Sequence, residues 1–177
     1  MKGRVKLAAG VGVIAAVTVA ATVAVAGGGE TIREQLSGYE EDPLVRSTPG
    51  NGSFKAHISD RRQEIDYRLT YADLESDVTQ AHIHFGGPRQ SGGISVFLCT
   101  NLGNGPAGTQ ACPPDGGTVS GTIRPADVIG PADQGIAVGE FQELLDAIRH
   151  GVTYVNVHST VLTGGEIRAQ LEDDHDD

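Results

Sequence analysis

Three histidines carry most of the chemistry this sequence offers. His82 and His84 lie two apart in Ala81-His82-Ile83-His84-Phe85, and His158 lies in Tyr154-Val155-Asn156-Val157-His158-Ser159. Alternate residues of a strand share a face, so His82 and His84 point the same way, about 7 Å apart along the chain. His158 sits on the polar face of its own window, with Asn156 beside it. If the two strands are neighbours, three imidazoles converge, and imidazole suits copper and zinc. His57 is a further, more distant candidate ligand. The same residues also support a reading without an ion. Hydrogen bonds among His82, His84, His158, Asn156, Glu166 and Arg168 would form a polar layer that fixes strand register. Both readings stand on the sequence. No catalytic residue is assigned: the chain has no G-x-S-x-G elbow, no P-loop lysine and no H-E-x-x-H pair. A metal-dependent oxidoreductase ranks behind both readings.

The elements that would hold these histidines show period-two alternation. Phe54, Ala56 and Ile58 oppose Lys55, His57 and Ser59. Ile65, Tyr67, Leu69 and Tyr71 oppose Asp66, Arg68 and Thr70. Ala81, Ile83 and Phe85 oppose the two histidines. Ile94, Val96 and Leu98 oppose Ser95 and Phe97. Val155 and Val157 oppose Tyr154, Asn156 and His158, and Ile167, Ala169 and Leu171 oppose Glu166, Arg168 and Gln170. This predicts strands with one buried and one exposed face. Pro49-Gly50-Asn51-Gly52, Gly86-Gly87-Pro88, Gly116-Gly117 and Gly164-Gly165 supply the turns. One window has a different period. Phe141, Leu144, Leu145 and Ile148 fall on one stripe of a helix over about 140–150, with Gly151 as its stop. The expected fold is all-β: a two-sheet antiparallel, Greek-key-like sandwich with one short helix.

Several of these segments resemble the CHRD domain family, in particular its bacterial secreted single-domain subgroup. The family carries an AHIH-type strand near its middle, matched by Ala81 to His84. It ends in a strand like YxNVHT, matched by Tyr154 to Ser159, then a Gly-Gly turn and a strand like EIRGQ, matched by Glu166 to Gln170. Leu36 to Glu41, Tyr67 to Tyr71, Gly92 to Cys99, Gly121 to Ile123 and Gly139 to Phe141 also fit. Thr163, Ala169 and Ser159 depart from the usual proline, glycine and threonine. The resemblance implies a secreted or cell-surface binding or structural module without catalytic activity, facing an extracellular ligand or protein it does not identify.

The N-terminus reads as an export signal: Lys2, Arg4 and Lys6 precede an uncharged, mostly apolar run from Leu7 to Ala26 that ends in Ala24-Val25-Ala26. That run is either removed after Ala26 or kept as a membrane anchor; both place the domain outside the cytoplasm. The expected organisation is signal 1–26, tether 27–33, domain 34–171 and acidic disordered tail 172–177. Cys99 and Cys112, the only cysteines, are expected to pair in such a compartment. Their bridge would close a Gly- and Asn-rich loop and add about 3 kcal/mol. With 23 acidic against 13 basic residues, net charge -10, nucleic acid is not an expected partner. A membrane is expected only through a retained leader.

Overall fold

The computed structural model describes residues 29–172. The expected leader and most of the acidic tail, with His175, lie outside them. Eight strands form the domain: β1 Glu30–Ser37, β2 Asn51–Ser59, β3 Glu64–Ala72, β4 Val78–Phe85, β5 Gly93–Thr100, β6 Gly117–Ile123, β7 Thr153–Ser159 and β8 Ile167–Leu171. The helix α1 spans Phe141–Arg149. β1 therefore takes up residues 30–33 of the stretch expected to be tether.

The strands make one antiparallel sheet in the order β5-β4-β7-β8-β1-β2-β3-β6, not the expected two-sheet sandwich. The sheet curls until its edge strands β5 and β6 approach each other, giving a nearly closed barrel. One inward face of Val, Ile, Leu and Phe is enough to fill such a roll. Phe54 pairs across from Leu69, Ile58 from Ile65, and Val157 from Ile167, and all are buried. α1 adds Phe141, Leu144, Leu145 and Ile148 to the same core, as its apolar stripe predicts. Arg149 at its end is tied to Glu30 of β1 at 2.6 Å and to Asp60 of the β2–β3 turn at 2.9 Å.

Exposed sheet edges leave backbone groups unpaired. Here the loop after β5 satisfies part of both edges. Gln110 accepts from the Thr100 amide at 2.9 Å. Its side chain donates to the Tyr67 hydroxyl and to the Ser120 carbonyl of β6. Tyr67 in turn donates to the Leu98 carbonyl of β5. The Cys99–Cys112 disulfide holds this loop at its base.

The loop buries little apolar surface of its own, so the crosslink stabilises mainly by restricting the unfolded chain. Cys99→Ser with Cys112→Ser is expected to lower unfolding free energy by about 2–4 kcal/mol. Urea titration measures this loss, and far-UV circular dichroism should show the sheet retained.

Candidate functional site

The outer face of β4, β7 and β8 is not exposed, as alternation alone would suggest. All seven residues of β7 are buried. Valines fill the inner face; Tyr154, Asn156 and His158 fill the outer one. Three loops roof this outer layer. The segment 38–50 crosses over β8, the 86–92 loop lies beside His84, and the 159–166 loop folds back over His158.

β4 and β7 are adjacent and antiparallel, with His82 opposite Asn156, His84 opposite Tyr154 and Gln80 opposite His158. The three histidines therefore meet on one face of neighbouring strands. On its other side β4 pairs with β5 through two irregularities, between Ala81 and His82 and between Ile83 and His84. Each inserts an extra β5 residue beside a histidine, and such bulges re-aim side chains. They also break the alternation expected in β5. Ile94 stands opposite His84 and Val96 opposite Ile83, so these two do not share a face.

His82 is fully buried, and His84 and His158 nearly so. One ring nitrogen from each lies within 4.8 Å of the others. His84 Nδ1 contacts the Gly92 carbonyl at 2.9 Å, and His158 Nδ1 contacts the Thr163 carbonyl at 3.0 Å. A carbonyl only accepts, so each Nδ1 carries the proton and each Nε2 keeps its lone pair. His82 Nδ1 stands 3.3 Å from His158 Nε2 and donates to it. The Nε2 atoms of His82 and His84 are buried without a hydrogen-bond partner. Backbone carbonyls on Nδ1 with Nε2 turned inward is the arrangement that orients metal-ligating histidines. An ion with metal–nitrogen bonds of about 2.0–2.1 Å needs nitrogens about 3.3–3.6 Å apart. The widest gap here must close by about 1.2–1.5 Å to reach that.

The triad is closely packed. Phe97 meets His82 edge-on, with centroids 4.4 Å apart. Tyr154 stacks flat on His84 at 4.8 Å. Arg168 lies 3.5 Å over the other face of Tyr154 and donates to the Gly87 carbonyl at 3.0 Å. The expected polar network is therefore redistributed. Arg168 holds Tyr154 and the 86–92 loop. Glu166 accepts from the Thr48 hydroxyl at 2.6 Å and the Glu75 amide at 2.7 Å, so its carboxylate anchors the roof. His57 is exposed on β2 and is not among the grouped ligands. His150 caps α1, its Nδ1 on the Asp146 carbonyl.

Sequence reasoning missed Glu41. It descends from the roof segment and is buried. Its carboxylate lies against Gly165, where a Cβ would strike a Glu41 oxygen and come within 2.7 Å of Asn156 Nδ2. Gly165 also has φ +127, so both space and backbone require glycine there. Burial pushes the Glu41 carboxyl up to about 7, against Arg168, the Asn156 amide and Arg46, which favour its charge. No local period marks such a residue, because its environment comes from strands more than a hundred positions away.

These features define a class: a disulfide-closed, all-β domain with a roofed polar layer on one side of its barrel. Within that class the chain belongs to the CHRD domain family, whose family model matches residues 32–171. CHRD domains are extracellular. Comparison with curated proteins and with solved structures returned no match. No helix among the described residues is long and apolar enough to cross a membrane.

The buried groups set a pH dependence. Burial first, then the neighbouring His158 and His84, lowers His82 to about 2. Burial lowers His84 to about 4 despite the Gly92 carbonyl, and lowers His158 as well. Unfolded, these rings take up protons near 6.5 that the native state refuses. Their contribution is present above 6.5 and lost as pH falls toward the native values. Glu41 runs the other way: raised from 4.5 to about 7, its contribution is present below 4.5 and lost as pH rises through 7. Three rings outweigh one carboxyl, so stability is expected to fall from pH 7 to pH 5. Glu41→Gln removes the opposing group and should steepen that fall in urea titrations. A shallower fall would mean that Glu41 is ionised in the native layer.

Proposed function

We propose that this CHRD domain is a non-catalytic, extracytoplasmic binding module that holds a copper or zinc ion on His82, His84 and His158. One observation carries the reading: two of the three imidazoles commit Nδ1 to a backbone carbonyl and aim a lone pair into a shared buried space. Solvation does not account for this, because the His82 and His84 Nε2 atoms are cut off from water and unpartnered. Leaving buried nitrogens without partners costs about 1–3 kcal/mol each, which an ion would recover as bond energy. The donor set is all imidazole, which favours copper or zinc over calcium or magnesium. Three imidazoles leave a fourth coordination position to a water or another small ligand, and the burial of all three rings restricts access to it. The export-type leader and the disulfide support an oxidising compartment.

A second reading rests on the His82–His158 contact at 3.3 Å. In it the triad is a polar layer that pins β4 to β7 and the roof to both.

Titration of chelator-treated protein separates the two. Bound Cu(II) or Zn(II) should raise the thermal midpoint in a concentration-dependent way, following RT ln(1 + [L]/Kd). The shift should be lost in His84→Gln, which keeps a polar side chain beside Tyr154. No shift in the wild type, or an equal shift in the variant, would leave the register-pinning reading in place.

A further inference from the structure

The three roof loops over the triad are fastened by hydrogen bonds. His84 holds the Gly92 carbonyl, His158 the Thr163 carbonyl and Arg168 the Gly87 carbonyl, and the Thr48 hydroxyl donates to Glu166. Lifting any of these loops breaks a hydrogen bond in a buried layer, where an unmade bond is costly. On the β5 side the cover is different. Phe97 stands directly opposite His82 in the sheet register and lays its ring edge-on against that imidazole, with centroids 4.4 Å apart. A phenyl ring makes no hydrogen bond, so it swings aside without breaking one.

Phe97 also stands between the triad and solvent. Two aromatic rings lie against the histidines. Tyr154 is buried, whereas Phe97 is partly exposed. Phe97 lines a slot of about 200 Å³ between the edges of β5 and β6, together with Leu98, Thr109, Gln110, Thr122 and Asp127. A water takes about 30 Å³, so the slot admits an ion with several of its waters. The hydroxyl, amide and carboxyl groups of its lining suit a hydrated cation.

The loop beside Phe97 leaves the ring room by what it omits. A Cβ on Gly105 would come within 3.1 Å of Phe97 Cδ1 and 3.2 Å of Thr100 Cγ2, where ordinary contact begins at 3.4 Å. Gly105 is not in the left-handed backbone region, so the requirement there is space rather than conformation. Any side chain at this position would press on the Phe97 ring.

We infer that Phe97 is the gate of the triad: an ion enters from the β5–β6 slot, passes this ring and meets His82 first. The inference rests on the metal-binding reading above and adds to it the route.

Entry and exit rates of Cu(II) in the purified protein test this. Quenching of tyrosine fluorescence reports entry, because Tyr154 stacks on His84. Transfer of the loaded protein into excess EDTA reports exit. Phe97→Ala should raise both rates about tenfold, the effect of lowering a barrier by about 1.4 kcal/mol, while their ratio, the affinity, changes far less. Phe97→Leu keeps an apolar cover and should fall between the two; it serves if the alanine variant does not fold. Gly105→Ala should slow both rates. Thr48→Ala loosens the roof at Glu166 and should leave both at wild-type values. A readout without metal is the modification of His82 by diethyl pyrocarbonate, which should be faster in the Phe97 variants than in the wild type. Absence of Cu(II) binding to the wild type would overturn the metal reading and the gate together. Binding with rates unchanged in the Phe97 and Gly105 variants would overturn the gate alone. So would equal acceleration in Thr48→Ala, or unchanged modification of His82.

Discussion

The polar layer on the outer face of β4, β7 and β8 depends on two backbone carbonyls. Gly92 and Thr163 each accept the Nδ1 proton of a histidine, and each belongs to a loop that has no regular pairing of its own there. The same contacts hold the loops down and fix the rings. If they are removed, the imidazoles lose what sets their tautomers, while Arg168 on the Gly87 carbonyl and Glu166 on the Thr48 hydroxyl still hold parts of the roof. Ring orientation and the seating of these two loops therefore share the same contacts.

Burial then explains the electrostatics. A ring sealed from water resists protonation, so the histidines stay neutral through the physiological range. A carboxylate in the same layer is pushed the opposite way, and Glu41 is held near its titration point by Arg168 and Asn156. Arg168 is the one buried permanent cation of the layer. It is distributed over the Tyr154 ring, the Gly87 carbonyl and the field of Glu41 rather than locked into one salt bridge. Spreading a buried charge over several partners limits the desolvation penalty that a single pair would have to meet.

How much of this was legible in the sequence depends on whether a signal is local. Six of the eight strands show in their alternation, and the helix shows in Phe141, Leu144, Leu145 and Ile148. β1 does not, because Glu30 to Ser37 offers only Ile32 and Leu36 as apolar positions. β6 does not, because Gly117 and Gly121 dilute its pattern. Alternation also cannot tell a rolled sheet from two packed ones, since both present one apolar face per strand. The curl is decided by the β5–β6 seam and its Gln110 bridge, which are long-range. The convergence of His82, His84 and His158 was accessible because period two fixes their faces and neighbouring strands do the rest. Glu41, the bulges beside the histidines and the need for glycine at Gly165 were not, because each arises from contact between distant segments.

The two faces of the barrel differ in burial: the outer face of β7 is roofed and buried, while β2 and β3 present exposed residues outward. The account stands or falls on the tautomers of the roofed face. Long-range proton–nitrogen NMR correlation of imidazole-labelled, metal-free protein at pH 7 reads them directly. The prediction is neutral rings protonated at Nδ1 for His84 and His158, with Nε2 unprotonated. Nε2-protonated rings, or imidazolium at either position, would contradict it.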